Sequence, residues 1–333
     1  MNIYIDCMGA DSPAEIINGA AAAAKEHPEI NIVLTGDQSL INATLPASSA
    51  ICNLKVVHAE DVITNDDTPT TAIKVKKDSS LVKAFNMLKE DDNALGLISA
   101  GSTGAVLTGA TLIIGRMEGV YRPTLISQLP TANGGFVCIT DSGANMDSHP
   151  EWLMQFAIMG SSYMRAMTGK ANPSIALLNV GTEDHKGNTL TRTTYQLLAA
   201  SKLNFVGNME ARDALTGNYD VVVCDGYDGN VLLKGSEGAV KMFMKKFKQN
   251  VMASLSAKIG YLFMKKAIKQ LRSAMDYNNY GGGPFLGTKK PVIKAHGASN
   301  SMAIRLSVNQ LLRIKEGKVL EMIQQGIAEN EAR

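Results

Sequence analysis

Aromatic side chains are scarce in this 333-residue chain, 5% in all with a single tryptophan. That disfavours an aromatic-rich β-sandwich, whereas abundant Ala, Gly and Met suit helices packed closely on a sheet. Cysteine is scarce too. Cys7, Cys52, Cys138 and Cys224 form no CxxC pair, which excludes a disulfide framework or a zinc cluster and leaves reduced thiols. No apolar run reaches the roughly 18 residues a membrane-spanning helix needs. The opening MNIYIDCMGAD begins on a strand pattern without a basic stretch and apolar core, so no secretion signal is expected and the reading is cytoplasmic. Several nucleotide and hydrolase signatures are missing as well: GxxxxGKS/T, a helix-opening GxGxxG, GxSxG with triad partners, and HExxH. The histidines are scattered, and His27 and His58 read as surface or core fillers.

What is present is alternation. Apolar runs NIYID (2–6), INIVLTG (30–36), LKVVHA (54–59), ALGLISA (94–100), FVCITD (136–141), SIALLNVG (174–181), LNFVGN (203–208) and DVVVCDG (220–226) are separated mostly by helical patterns such as AEIINGAAAAAKE (14–26). This predicts a single α/β domain over 1–333 with a doubly wound, largely parallel sheet and helices on both faces. Residues 236–278 break the alternation as one long helical pattern, read as a protruding basic amphipathic segment. Its stretch 239–275 holds nine Lys/Arg and no carboxylate, so a chain of net charge +2 carries −7 elsewhere.

Five runs end in small-residue turns: DCMGADSP (6–13), SAGSTGA (99–105), TDSGANMD (140–147), NVGTEDHKG (179–187) and CDGYDGN (224–230). Ligands of open parallel sheets bind beyond the carboxyl ends of strands, where glycine lets backbone approach and a helix start offers unpaired N–H groups. One such turn alone reads better as an ordinary capped βα connection. Five together point to a shared phosphate-type site, with Gly101, Ser102, Thr103 and Gly104 as an anion cradle. Asp225 and Asp228 fit turn-capping better than a metal pair, and no metal or cofactor is expected.

Those turns in that order, together with GGGPFLG (281–287) and AHGASNS (295–301), resemble the PlsX family of bacterial phosphate acyltransferases over essentially the whole chain. The resemblance implies transfer of a long-chain fatty acyl group from acyl carrier protein to inorganic phosphate. The acyl phosphate would feed a glycerol-phosphate acyltransferase in phospholipid synthesis. It also implies a fold like phosphotransacetylases and isocitrate-dehydrogenase-type enzymes, and a homodimer peripheral to the membrane. Departures from the family pattern fall at Cys7, Ala10, Ser142, Ala211, Gly283 and Phe285, the last expected to narrow acyl access.

Such a reaction needs no covalent enzyme nucleophile. Phosphate resembles a phosphomonoester, which ionises near pH ~6, and a simple thiol leaves with a pKa of about 8.5. The requirements are to hold phosphate beside the thioester carbonyl and to stabilise the oxyanion. Asp6, Gly9, Gly101, Ser102, Thr103, Gly104, Asn145, Gly181 and His296 are candidates for the phosphate pocket. Lys186, in a Gly-flanked turn, is the first candidate for a neutralising cation, the alternative being a surface lysine. Glu183, His185 and Asp225 are candidates to orient it or manage protons. Asn145 and Asn230 read either as oxyanion donors or as left-handed turn residues.

Within the basic segment, Leu255, Ile259, Leu262 and Phe263 share a helical face, while Lys265, Lys266, Lys269 and Arg272 crowd the rest. That pattern suits an anionic membrane surface, a dimer contact or an acidic carrier, and the resemblance favours membrane contact coupled to dimerisation. Nucleic acid is not expected, because no base-stacking aromatics accompany the charge. The alternatives are a phosphotransacetylase-like enzyme using short acyl-CoA and a non-enzymatic carrier- or lipid-binding scaffold.

Overall fold

The recurring unit is a short apolar run, a turn and an amphipathic helix. The computed structural model describes residues 1–45, 51–275 and 277–331. The first half contains β1 (Asn2–Asp6), α1 (Pro13–Glu26), β2 (Asn31–Gly36), α2 (Gln38–Thr44), β3 (Leu54–His58), α3 (Pro69–Val75), α4 (Ser80–Glu90), β4 (Ala94–Ser99) and α5 (Thr103–Gly109), the last continued by a π-helical turn, Ala110–Ile114. There follow β5 (Thr124–Pro130), β6 (Phe136–Thr140), α6 (Pro150–Thr168), β7 (Ile175–Asn179), α7 (Thr189–Ala200), β8 (Phe205–Glu210) and β9 (Val221–Val223). The chain ends with α8 (Gly226–Ala253), α9 (Leu255–Ala274), β10 (Gly283–Leu286), β11 (Val292–Lys294), α10 (Ser301–Glu316) and α11 (Val319–Glu331).

The eleven strands of the described residues form one sheet in the order β3-β2-β1-β4-β11-β10-β5-β6-β9-β7-β8. All neighbours are parallel except at three central joints, β11–β10, β10–β5 and β5–β6. Three reversals make the two parallel halves run in opposite senses. The largely parallel sheet matches expectation, but the central strands β5, β10 and β11 were not recognisable as strands. TLISQLP mixes polar residues with a terminal proline, and the other two are only four and three residues long.

Strand alternation divides the core between two faces. In the first half Ile3, Ile5, Ile32, Leu34 and Ile98 pack on α1 and α10, while Tyr4, Val33 and Leu97 face α3, α4 and α5. In the second half Cys138, Ile175, Leu177, Val221 and Val223 meet α6, α7 and α11. Val137, Ile139, Ala176 and Val222 meet Leu232 and Leu233 of α8. Both faces are covered, which explains the near-continuous apolar runs. Cys7, Cys138 and Cys224 are buried and Cys52 is exposed, and none of the four is in a disulfide.

The long helical segment starts earlier than its apolar pattern indicated. Asp225 caps α8 through the Tyr227 N–H at 2.8 Å, so the helix springs from the end of β9 rather than from residue 236. It breaks at Ser254, whose side chain accepts from the Ala257 N–H to start α9. Residue 276 of the anticipated 236–278 segment lies outside the described residues. Arg272 and Met275 share a cavity wall with Val240, Lys241 and Met244, so α9 returns alongside α8 as a hairpin. Among the described residues no helix is long and apolar enough to cross a membrane.

The root of α8 tolerates no side chain. A Cβ at Gly229 would lie 1.9 Å from the Asp141 carbonyl oxygen and one at Gly226 2.1 Å from that of Asn145, whereas Gly235 and Gly238 face open space. Gly229→Ala is therefore expected to destabilise the protein by about 3 kcal/mol or more through overpacking. Gly235→Ala on the same helix should stabilise by about 0.5–1 kcal/mol. Urea unfolding of both variants checks the pair, and equal effects would contradict it.

Candidate active site

Polar side chains converge midway along the sheet, where the ends of β4, β11 and β6 and the edges of β10 and β5 meet the first turns of α8. They line a cavity of about 180 Å³ that includes Thr103, Ser127, Gln128, Ser142, Asn230, Lys234, Glu237, Lys294 and His296. Gly143, Gly281, Gly282 and Gly283 complete its wall. Register brings Lys294 there: it pairs with Ser99 of β4 on one side and Gly283 of β10 on the other. Burial pushes its ammonium down to about 8, with the Asp6 charge acting against that shift. It is thus protonated at pH 7, and its Nζ donates to the Ala295 carbonyl.

Asp6 supports this corner without lining it. Its buried carboxylate accepts from Ser80 Oγ at 2.6 Å, Ser99 Oγ at 2.7 Å and the Met8 N–H at 3.2 Å. Burial lifts it to about 6, against the pull of those hydrogen bonds and of Lys294. Ser99 Oγ in turn accepts from the Gly101 N–H at 3.1 Å. Gly9, at φ +77°, and Gly101 touch: a Cβ at Gly9 would be 3.2 Å from Gly101 Cα. At Gly104 a Cβ would be 2.6 Å from the Pro69 ring. Within the Gly-Ser-Thr-Gly turn, then, only Thr103 reaches the cavity; Gly101 and Gly104 are small for packing, and buried Ser102 occupies the N-cap position of α5 without a side-chain cap bond.

Across the cavity, Asp141 fastens the turn after β6. Its carboxylate accepts from the Leu125 N–H at 3.0 Å, the Asn145 N–H at 2.6 Å and Asn145 Nδ2 at 2.9 Å, and burial raises its pKa above the ordinary range. Asn145 also donates Nδ2 to the Pro123 carbonyl at 2.8 Å. The amide anticipated as an oxyanion donor is committed to holding its own loop. Asp225, anticipated as a proton manager, bridges the Tyr227 and Ser148 N–H groups, at 2.8 Å each, as a helix cap. Asn230 differs. It lines the cavity, and its side chain makes no hydrogen bond among the described residues. Neither asparagine has positive φ, which removes the left-handed reading.

Helical spacing splits α8 between two cavities. Asn230, Leu233, Lys234 and Glu237 face the first, and Lys234 pairs with Glu237 at 3.1 Å. Asp228, Val231 and Leu232 face another, of about 550 Å³, beside the turn after β7. That turn carries Gly181, Glu183, His185 and Lys186. All three side chains are exposed, His185 pairs with Asp184 at 3.3 Å, and none lines the first cavity. A Cβ at Gly181 would be 2.8 Å from Glu183 Oε2. The five turns thus do not converge on one point: α8 stands between the β7 turn and the rest. His296 does line the first cavity, and burial, then Lys234, hold it below the ordinary histidine range. It is neutral at pH 7.

Sequence inspection missed Lys234, Lys294, Ser127, Gln128 and Glu237. Lys294 had a legible signal, a lysine ending an apolar run one residue before the AHG turn. Ser127 and Gln128 sat on a strand that had not been recognised. Gln128 donates to the Tyr163 hydroxyl, which also accepts from Gln310 Nε2 at 2.9 Å, so a buried polar network floors the cavity. Phe285, expected to narrow acyl access, is buried with Leu97, Leu125 and Val292 in the core and lines no part of the cavity. On α9, Leu262 and Phe263 are 69% and 87% exposed, Leu255 and Ile259 are exposed as well, and Lys265, Lys266, Lys269 and Arg272 surround them. No group of three His, Cys, Asp or Glu suited to a metal occurs among the described residues.

The architecture is that of the phosphotransacetylases. A phosphotransacetylase from Streptococcus pyogenes superimposes with a TM-score of 0.58 at 16% identity, covering 95% of this chain and 94% of that one. A 4-hydroxythreonine-4-phosphate dehydrogenase from Klebsiella pneumoniae gives 0.51 at 12% identity, over 94% and 98%. At these identities the likeness concerns the fold alone. Sequence goes further: the chain is 45% identical over 331 residues to the phosphate acyltransferase of Clostridium acetobutylicum, covering 99% of each. It is equally 45% identical to that of Brevibacillus brevis, over 99% of this chain and 98% of the relative. Residues 1–322 match the family described as fatty acid synthesis protein. The chain belongs to this family of phosphate acyltransferases, as its turns had suggested.

Folded Asp6 keeps its proton to about pH 6, whereas an unfolded aspartate loses it near pH ~3.9. The stability of the protonated form is therefore present below pH ~4 and lost as pH rises to about 6. Asp6→Asn removes that slope. Between pH 4.5 and 7 it should gain about 2 kcal/mol over the wild type in urea unfolding; a constant difference would contradict the assignment.

Proposed function

We propose that the cavity between Thr103, Asn230 and Lys294 is where inorganic phosphate meets the acyl thioester. Transfer of an acyl group to phosphate is the reaction named for its relatives, and the observation that carries the assignment is a hydroxyl-lined cavity holding two lysines, one partly desolvated. Phosphate dianion is drawn by Lys294 and Lys234 and held by Thr103, Ser127 and Ser142. One of its oxygens attacks the thioester carbon. The oxyanion then accepts hydrogen bonds from Asn230 Nδ2 and a lysine, a C–O bond replaces the C–S bond, and the thiolate leaves.

Acyl carrier protein is the donor in this reading, supported by the acid-free basic stretch 239–275, which suits an acidic partner. The outer face of α9 meets an anionic membrane, with the remaining exposed apolar side chains of the hairpin, Met242 and Phe243 among them, joining two copies as a homodimer. Delivery of acyl phosphate to a glycerol-phosphate acyltransferase follows from the family resemblance. Residues 1–333 form one unit, supported by the single eleven-stranded sheet; residues 46–50, 276 and 332–333 lie outside the described part. Lys186, Glu183 and His185 stand on the other side of α8, outside the phosphate cavity, and are not phosphate ligands in this reading.

Phosphate-dependent thiol release from hexadecanoyl-carrier protein, with the acyl phosphate trapped by hydroxylamine, tests the function. In that assay Lys294→Met should raise the KM for phosphate at least tenfold, the effect of about 1.4 kcal/mol of lost anion binding. Lys186→Ala should raise it less than ~threefold, whatever its effect on kcat. The reverse order would overturn the assignment. For the membrane contact, the double change Leu262→Glu, Phe263→Glu should abolish cosedimentation with anionic vesicles at low salt, and sedimentation at the wild-type level would refute it.

A further inference from the structure

A second cavity, of about 400 Å³, opens at the base of the α8–α9 hairpin. Its aliphatic wall is Leu129 at the end of β5, Leu215, Val240 and Met244 of α8, and Met275 beyond α9. Leu129 is buried and the other four are half-buried. Glu237 belongs to the wall of this cavity and of the phosphate cavity alike, so the two adjoin. The cavity beside the β7 turn shares no residue with either.

Resting on the proposed reaction, we infer that this second cavity is the chamber for the fatty acyl chain. The geometry requires one. When the thioester carbon sits at the phosphate, the hydrocarbon must leave that polar cavity in some direction, and the only aliphatic wall adjoining it among the cavities described here lies past Glu237. The Lys234–Glu237 ion pair, 3.1 Å, stands at the junction between the phosphate cavity and this aliphatic wall, which Ser236, Lys241 and Arg272 flank. Helical spacing also explains the residues: Glu237, Val240 and Met244 follow one another on one face of α8, leading away from Asn230. Each methylene removed from water favours binding by about fourfold, so a long chain gains most from the chamber.

The chamber makes chain-length selection a property of α8 rather than of Phe285. Val240→Trp fills it, and the ratio of kcat/KM for hexadecanoyl- over octanoyl-carrier protein should fall at least tenfold. Met244→Ala enlarges it, and the optimum should move towards longer chains, read as octadecanoyl over hexadecanoyl. Ratios unchanged in both variants would overturn the chamber while phosphate-dependent transfer by the wild type still stood. So would a Val240→Trp loss equal for both chains, together with an unshifted Met244→Ala profile. Wild-type protein that releases no thiol in response to phosphate from either substrate would instead overturn the reaction itself, and the chamber with it.

Discussion

The contact of α8 with the turn after β6 is the constraint on which the site depends. Gly226 and Gly229 bring the helix against the carbonyl oxygens of Asn145 and Asp141, closer than any side chain permits. From that seat the helix projects Asn230 and Lys234 into one cavity and Asp228 and Val231 towards another. Had α8 docked one side chain further out, Asn230 would lie too far from Lys294 and Thr103 for the same phosphate to reach all three. The buried carboxylate of Asp141, which accepts from the Leu125 N–H of β5 and from the backbone and side chain of Asn145 in the loop it closes, keeps that seat rigid.

Charge is arranged around this seat in layers. Asp6 and Asp141 are buried carboxylates with saturated hydrogen bonds, and both hold turns. Lysines 234 and 294 and neutral His296 face the cavity itself. A partly desolvated lysine is held less by water than a surface one, so an arriving dianion replaces less solvation. Farther along α8 the composition turns apolar on the inner side and basic on the outer, which leads from a polar reaction centre to a hydrocarbon wall and then to a charged, greasy exterior.

Much of this was legible in the sequence. Eight apolar runs gave eight strands within three residues at each end, because strands covered on both faces leave an unbroken signature. Glycine-rich turns marked the ends of the right strands, and GSTG and AHG both reach the cavity. Other parts were hidden for physical reasons. Three- and four-residue strands such as β11 and β10 carry too few side chains for a period to show. Asp225 and Asn145 look alike in sequence whether they serve a cap or a substrate, and only their partners decide. The separation of Lys186 from the cavity depends on which side of α8 the β7 turn falls, a consequence of strand order that no local pattern records. Lysine 294 was passed over because it closes a strand instead of opening a turn.

The central claim, that phosphate lies between Thr103, Asn230 and Lys294, is tested most directly by a crystal structure of the protein grown with inorganic phosphate. The account predicts an anion within hydrogen-bonding distance of Lys294 Nζ and Asn230 Nδ2. An anion bound instead at the β7 turn, against Lys186 on the far side of α8, would contradict it.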